Sequence, residues 1–512
     1  MISVLAPVGD VAMLRLEGRK LGGLGFESAL AAVQGALATG ARAILLDVAS
    51  ARTLRASDIA RLMELSAAAL PLARLALVNA QPSLISLARD HAIDQVLPIY
   101  ATLERALAAQ EVRACLLSKT PAVVLCAGKG TRMAPLTQMR PKPMLDIMGR
   151  PILEHILRHL RSFGIRDVVL NPGHLGPQIT QHFGPGHGLH QSIQYLNEGR
   201  RREARWVAAP LGSAATLARW VEENNGLASD TVVMCGDALV DVDLAAMMAC
   251  HRERGADITI AAQNVRPDQV GKYGILVADD AGRVSHFQEK PRRDEARSTL
   301  ANTGIYIVSP RVAEHLSRRE GADIAGDLLP AILASGGKLQ VFDQPFQWVD
   351  IGNGRDYVAA WRAALAGKVN GLWPDALEPM AGVWAHPSAE VARLSDIEGP
   401  AYIGPGARVA RGASLQGPVV MGRGAIAEKG SLLRDSIIMA HTRAGAGAWV
   451  DGMIAGPAWA VAHAYADGSN QPWDPLDGVS STQATPEAKV HVTRRFERGV
   501  ANLLQPAMVK AG

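Results

Sequence analysis

The chain has 512 residues, 48% hydrophobic and 20% charged, with a formal net charge of +4. This suits a globular protein of about three domains. It excludes a membrane span, since no apolar run reaches the roughly 18 residues one needs. Cys115, Cys126, Cys235 and Cys250 lack CxxC spacing, which argues against a metal knuckle or disulfide framework and fits a reducing compartment. The start, MISVLAPVGD, lacks the basic region and apolar core of a signal peptide, so a cytoplasmic location is expected. The positive charge is dispersed and arginine far outnumbers lysine, a poor footprint for nucleic acid that leaves small anions as ligands.

In chain order, residues 11–109 alternate short β-like runs (VAMLRL, ARAILLDV, RLALVNA) with helical ones (SDIARLMELSAAAL, SLISLARDH, ATLERALAAQ), the rhythm of a small α/β domain with its own core. A short segment, EVRACLLSKTP, leads into the strand AVVLCAG. From there to about Lys368 strand and helix alternate again, with apolar strands DVVL, TVVMCGD, DITIAA and TGIYIV, predicting a larger α/β domain with a mostly parallel sheet.

The third region changes period. Val391, Ile397, Ile403, Val409, Leu415, Met421, Leu433 and Met439 fall on one six-residue register interrupted only by Ala427, with a small or apolar residue four positions after each. Glycines and prolines such as those of IGPGARV rule out one amphipathic helix. Each unit predicts one side of a triangular coil, the aliphatic residue inward. This resembles the hexapeptide-repeat, left-handed parallel β-helix. From about Ala466 the chain reads as a polar linker followed by HVTRRFERGVANLL, one candidate helix in a partly disordered tail.

Candidate chemistry gathers in Leu125 to Leu145, LCAGKGTRMAPLTQMRPKPML. A glycine-rich loop after a strand lets backbone N–H groups approach phosphate oxygens. Pro135, Pro141 and Pro143 prevent the helix a dinucleotide fingerprint requires, and the segment does not supply a P-loop. What remains is a bare loop (Gly128, Gly130), then Arg132, then a proline-stiffened arm ending in Lys142, cations placed to neutralise a polyphosphate. Asp237 ends TVVMCGD and Asp350 ends FQWVD; the carboxyl ends of strands are where open α/β sheets bind ligands, so both can reach one site. Asp241 and Asp243, at the start of DLAAMMACHRERG, read instead as capping or turn residues.

The 125–145 segment resembles the signature of the sugar-1-phosphate nucleotidyltransferases (NDP-sugar pyrophosphorylases), and further matches follow in that family's order: LNPGHLGPQI, APLGSAATL, VMCGD, KYGIL, FQEKP, NTGIYIV and WVDIGNGRDY. Within the family the chain is most similar to mannose-1-phosphate guanylyltransferase-like members. The resemblance implies an α/β, Rossmann-like nucleotidyltransferase domain that joins an NTP and a sugar 1-phosphate into an NDP-sugar and pyrophosphate with Mg²⁺, here GTP and mannose 1-phosphate. Uridylyl or thymidylyl transfer, or a silent NDP-sugar sensor, are the alternatives. It implies Arg132 on the β,γ-phosphates and Lys142 on the α-phosphate; Ala127, Gly128, Gly130, Thr131 and Gly212 around the nucleotide; Gly274, Glu289, Lys290 and Asn302 around the sugar phosphate; and Asp237 and Asp350 as Mg²⁺ ligands. A plain turn glycine is the competing reading of Gly212, and packing or capping that of His174. Three motifs depart from the pattern: LGSAA for LGTAG, Ala209-Pro210 for EP, and DIGNGRDY for DIGTPxxY. They put the accepted base and sugar in question.

The N-terminal region resembles a STAS domain, with Arg55, Ala56, Ser57 and Asp58 at the DSSG-like motif. Alanine occupies the phosphorylatable position, and Ser57 reads as a helix cap, so a docking module with a protein partner is expected. The expected organisation is therefore a STAS-like domain at 1–112, a nucleotidyltransferase domain at 120–370, a left-handed β-helix at 380–455 that makes a homo-oligomer, and a tail at 466–512. Acyl transfer in the coil would need a histidine base, and His386 and His441 read as loop residues.

Overall fold

The computed structural model describes residues 2–17, 23–50, 56–203, 205–463 and 479–481. The candidate tail helix and Arg55 lie outside them. Among the described residues no helix is long and apolar enough to cross a membrane.

The first unit is a four-stranded sheet. Strands Ile2–Val8 and Val11–Leu16 form an antiparallel hairpin, and Ala43–Asp47 and Arg74–Val78 add in parallel. Strand Ala43–Asp47 is buried throughout, and its side chains alternate between two cores as a strand's period of two requires. Ile44 and Leu46 pack with Leu62 and Leu65 of helix Ala56–Ala69, whereas Leu45 joins Ile156 and Phe163 of the next unit. The expected independent core is therefore shared on one face. The segment expected only as a connector forms helix Gln110–Leu116 and fastens both sides: Asp10 N–H donates to the Cys115 carbonyl (2.9 Å) and Leu117 N–H to that of Phe163 (2.9 Å). Helix Ala56–Ala69 already includes Ser57, which therefore sits inside the first turn and is not its cap.

The second unit is built on a mixed sheet whose main path runs Val284–Glu289, Gly274–Ala278, Leu300–Val308, Thr231–Cys235, Ala122–Leu125, Asp167–Leu170, Ser192–Tyr195. From Thr231–Cys235 onward the pairings are parallel, as expected; on the other side Leu300–Val308 and its neighbours pair antiparallel, so the sheet is parallel over only part of its width. The register sets Cys235 opposite Leu125, so the glycine loop and Asp237 leave the same edge. A separate two-stranded ladder, Ala238–Val240 with Trp348–Asp350, sets Ala238 opposite Asp350.

The third unit stacks parallel strands at a spacing of one coil. Val383, Ala401 and Val419 lie in register on one side, Val391, Val409 and Ala427 on a second, and Ile397, Leu415 and Leu433 on a third. Ile397, Ile403, Val409, Leu415, Met421 and Leu433 fill the interior, with Ala427 keeping the register. The expectation fails at Met439. Gln416 pairs with Arg434 but Val419 pairs with Ser436, so one residue is dropped beside Asp435 (φ 42°). Ile438 takes the inward place and Met439 turns toward the second unit. Tyr402, Val420, Ile437 and Ile454 face outward into that unit's core, where Tyr402 meets Trp361 of helix Gly354–Leu365 (ring centroids 5.2 Å).

Candidate active site

The loop after strand Ala122–Leu125 is braced from behind. Cys126 N–H donates to Asn171 Oδ1 (2.6 Å), and Gly173 packs so tightly on Ala127 that a Cβ there would stand 2.4 Å from the Ala127 carbonyl. Ala127 is itself buried, so it offers backbone only. Gly128 and Thr131 are exposed, and no heavy atom lies within 4 Å of where a Gly128 Cβ would stand, leaving room for a ligand against the main chain. Gly130 has φ 61°, and its Cβ position lies 3.1 Å from Lys142 Cβ, so the glycine permits both the turn and the approach of the lysine. The Thr137 hydroxyl donates to the Gly130 carbonyl (2.9 Å), and His174 Nε2–H donates to that of Thr137 (2.8 Å). His174 thus braces the arm. Cys126 is no nucleophile, since burial pushes its thiol up to about 12.

At the end of the arm Lys142 is buried, and its Nζ meets Asp237 Oδ2 at 2.6 Å. Asp350 arrives through the short ladder beside Ala238. Burial pushes the Asp350 carboxyl above the ordinary carboxylate range; Lys142 opposes this, the negative charges of Asp237 and Asp356 add to it, and Arg132 opposes it. The Arg132 guanidinium reaches the same corner, its Nη1 3.9 Å from the Cβ position of Gly352. Four residues expected from sequence, Arg132, Lys142, Asp237 and Asp350, therefore converge around Gly130.

Two buried or half-buried carboxylates crowded together suit a hard cation. Asp237 stands near enough to Asp350 to help raise its carboxyl, and although among the described residues no group of three or more His, Cys, Asp or Glu could hold a metal, the pair would offer such an ion two carboxylate donors. That matches an ion such as Mg²⁺, which keeps waters and takes phosphate oxygens as its remaining ligands. The Lys142 ammonium now supplies the positive charge at Asp237.

The remaining expected residues form a second group. Gly274 pairs with Glu289 across two antiparallel strands, and Glu289 Oε2 lies 3.1 Å from the Gly274 Cβ position. Lys290, with φ 45°, turns its ammonium onto Glu289 Oε1 (2.9 Å), and both side chains are exposed. Asn302 sits at a bulge, where Nδ2 donates to the Tyr306 hydroxyl (2.8 Å) and Oδ1 accepts from Gly304 N–H (3.0 Å). Tyr273 links the two groups: it precedes Gly274, meets Trp348 at a tilt (centroids 4.9 Å) and lies close to Asp350, its hydroxyl pushed up to about 12 by burial first and by the nearby carboxylates second. Gly212 has a packing role. At φ 100° its Cβ position is 2.4 Å from the Ala322 carbonyl, so glycine is required for the two loops to meet.

The motif departures resolve locally. Ser213 of LGSAA donates to Asp323 Oδ2 (2.8 Å) and accepts from Ile324 N–H (2.8 Å). Asn353 of DIGNGRDY caps helix Gly354–Leu365 by accepting from Asp356 N–H (3.0 Å). Asp243 caps helix Leu244–Arg254, while Asp241 accepts from Asn370 Nδ2 (2.8 Å). Ala209-Pro210 is preceded in space by a glutamate after all. The hairpin Gly199–Arg202 with Arg205–Ala208 loops out, and Ala209 N–H returns to the Glu198 carbonyl (2.8 Å). The buried Glu198 side chain accepts from Leu211 N–H (2.8 Å), Asn171 Nδ2 (3.0 Å) and the Thr216 hydroxyl. This network was missed because Glu198 stands amid the charges of NEGRRREARW and its partners are distant in sequence.

Residues 121–367 match the family model described as nucleotidyl transferase. A UTP–glucose-1-phosphate uridylyltransferase from Synechocystis sp. is 40% identical over 287 residues, covering 55% of this chain and 73% of that protein. A mannose-1-phosphate guanylyltransferase from Mycobacterium tuberculosis is 32% identical over 239 residues, 46% of this chain and 62% of that protein. The solved structure of HddC from Yersinia pseudotuberculosis, complexed with GMP-PN, aligns with TM-score 0.39 and 24% identity over 48% of this chain and 99% of its own. The matched stretch contains both residue groups around Tyr273, and the 40% identity to a uridylyltransferase covered over 73% of its length establishes that the chain belongs to the nucleotidyl transferase family, among sugar-1-phosphate nucleotidyltransferases.

Proposed function

We propose that the chain transfers a nucleotidyl group from an NTP to a sugar 1-phosphate, releasing pyrophosphate. The observation that carries this reading is the Lys142 ammonium held on Asp237 beside the glycine loop, with Asp350 and Arg132 at the same corner. A phosphate oxygen of the sugar 1-phosphate bonds to the α-phosphorus, and the bond from that phosphorus to the bridging oxygen of the leaving pyrophosphate breaks. Such transfer requires alignment and charge neutralisation more than covalent help. Lys142 neutralises the α-phosphate, Arg132 the departing pyrophosphate, and the exposed backbone at Gly128 and Thr131 cradles the chain of phosphates. Glu289 takes sugar hydroxyls and Lys290, released from Glu289, the sugar phosphate; Gly274 and Asn302 shape the same wall. Asp237 and Asp350 would hold Mg²⁺, which when bound spreads the phosphate charge at the reacting centre.

For the substrates, the 40% identity to a uridylyltransferase supports UTP and glucose 1-phosphate. The guanylyltransferase relatives support the second reading, GTP and mannose 1-phosphate, which the motifs alone had favoured. We further read the coil as a left-handed β-helix spanning 380–455 that assembles a homo-oligomer, a role favoured by Trp449, 65% exposed on a coil strand. The unit at 1–112 is read as a STAS-like docking module. Pyrophosphate release across a grid of NTPs and sugar 1-phosphates with Mg²⁺ tests the activity: saturable turnover with one preferred pair supports it, and silence across the grid refutes it.

A further inference from the structure

The hairpin Gly199–Arg202 with Arg205–Ala208 stands outside the main sheet, inserted between Glu198 and Ala209-Pro210, and none of its residues enters the proposed reaction. It is nevertheless tied to the nucleotide loop. Register sets Trp206 opposite Arg201 and Gly199 opposite Ala208, so the Trp206 ring lies on the face of the hairpin that carries Gly199. A Cβ on Gly199 would stand 2.5 Å from that ring, and one on Gly176, at the start of helix Gly176–Phe183, 3.3 Å from it, so two bare glycines form the slot that receives the indole. At the end of the slot the indole N–H donates to the Gly173 carbonyl (2.6 Å), which also accepts from Gly176 N–H (3.1 Å).

Residues 171–174 carry the contact forward. Gly173 seats against Ala127 with no room for a side chain, His174 N–H donates to the Ala127 carbonyl (3.3 Å), and Asn171 Oδ1 accepts from Cys126 N–H (2.6 Å). Through Thr137, on which His174 Nε2–H rests, the same segment supports the Gly130 carbonyl. From the opposite side it is gripped at the base of the hairpin, where Glu198 N–H donates to the Pro172 carbonyl (2.8 Å), and again by Trp206 at Gly173. Residues 171–174 are therefore clamped between the hairpin and the nucleotide loop.

We propose that Trp206 is a positioning residue for the NTP: the hairpin, through the indole on Gly173, holds the backbone at Ala127, Gly128 and Gly130 in the form that receives the phosphates. The clamp rests on the nucleotidyl-transfer reading and adds to it a residue remote from the charged corner. Backbone donors fixed before a ligand arrives lower the ordering cost of binding, so loosening them weakens nucleotide affinity more than it slows the chemistry. Linkage makes the converse hold, and a bound nucleotide must steady the hairpin to the same degree. Arg200, Arg201 and Arg202 are all exposed, so opening of the hairpin is readable by trypsin.

The full-length wild type, Trp206→Phe and Val207→Ala are compared with Mg²⁺ and either UTP or GTP. Phenylalanine keeps a ring for the glycine slot and removes the N–H; Val207, 42% exposed and on the opposite face of the same strand, is the control. Dissociation constants are measured by calorimetry, and trypsin cleavage after Arg200, Arg201 and Arg202 is followed by peptide mass with and without nucleotide. The clamp predicts about fivefold weaker binding in Trp206→Phe, the loss expected from one neutral hydrogen bond, and binding within about twofold of wild type in Val207→Ala. It also predicts that nucleotide slows cleavage of the wild-type hairpin and slows it less in Trp206→Phe. In turnover, KM for the NTP rises about fivefold in Trp206→Phe while kcat and KM for the sugar 1-phosphate stay within about twofold; a tryptophan needed only for stability would lower the active fraction, and so kcat, at unchanged KM. Unchanged nucleotide affinity in Trp206→Phe, or hairpin cleavage that bound nucleotide does not slow, overturns the clamp and leaves transfer at Lys142 standing. Binding of neither nucleotide by wild type overturns the transfer reading, and the clamp with it.

Discussion

Replacing Lys142 with Met removes an ammonium while keeping most of its buried stem, and its consequences for catalysis and for stability separate. The Nζ to Oδ2 distance of 2.6 Å corresponds to about 6 kcal/mol of gross attraction at an effective dielectric of ~20. The Asp237 side chain is 37% exposed, so solvent screening and the desolvation of Lys142 reduce the net contribution to about 1 kcal/mol. The cost in the transition state is larger, because the cation is aimed at the phosphate group on which the charge of the reaction is concentrated. Loss of one well-aimed charged contact there amounts to about 3 kcal/mol, roughly a hundredfold in kcat. The assay is pyrophosphate release by wild type, Lys142→Met, Asp237→Asn and the double variant, with chemical denaturation of each. The stability cycle should give a coupling of about 1 kcal/mol, while either single change reduces kcat at least about a hundredfold. Near-normal kcat in Lys142→Met would refute the placement of the site.

The remaining predictions are more local. Because the Asp350 carboxyl is held above its ordinary range, its protonated form persists to higher pH, so Mg²⁺ affinity should fall as pH drops through that raised value; the ionised form opposes folding above the unfolded value, so Asp350→Asn should be at least as stable as wild type near neutrality while losing metal binding, both measurable by metal titration and denaturation across pH. Gly130→Ala should cost about 1–2 kcal/mol from its φ of 61° and crowd Lys142 as well, lowering kcat beyond what the stability loss explains. Glu198→Ala leaves Leu211 N–H without its acceptor, while the Thr216 hydroxyl keeps the Gly212 carbonyl and Asn171 Nδ2 keeps Thr216, so it should destabilise by about 2 kcal/mol in denaturation, with Glu198→Gln recovering part of that loss.

The candidate site could be assembled from sequence because its residues are local signals: a glycine loop, a lysine after stiff prolines, and aspartates closing apolar strands are each visible in a short window. What brings Asp350 to Asp237 could not be read there, since it depends on the register of Ala238 with Asp350 between strands far apart in sequence. Glu198 was hidden for a similar reason: the hairpin after it removes it from its motif in sequence while leaving it adjacent in space. The coil's six-residue period held until Asp435, where one dropped residue moved Ile438 inward, and composition carries no sign of such a step. The core shared with the first unit was invisible because a strand buried on both faces looks the same whether one domain or two cover it.

The most direct test of the central claim is pyrophosphate release by the full chain with Mg²⁺, offered UTP with glucose 1-phosphate and GTP with mannose 1-phosphate, beside Lys142→Met. Saturable turnover with one of these pairs, at least about a hundredfold above the variant, is the predicted result. Turnover in neither pair above the variant's level would contradict a nucleotidyl transfer centred on Lys142, Asp237 and Asp350.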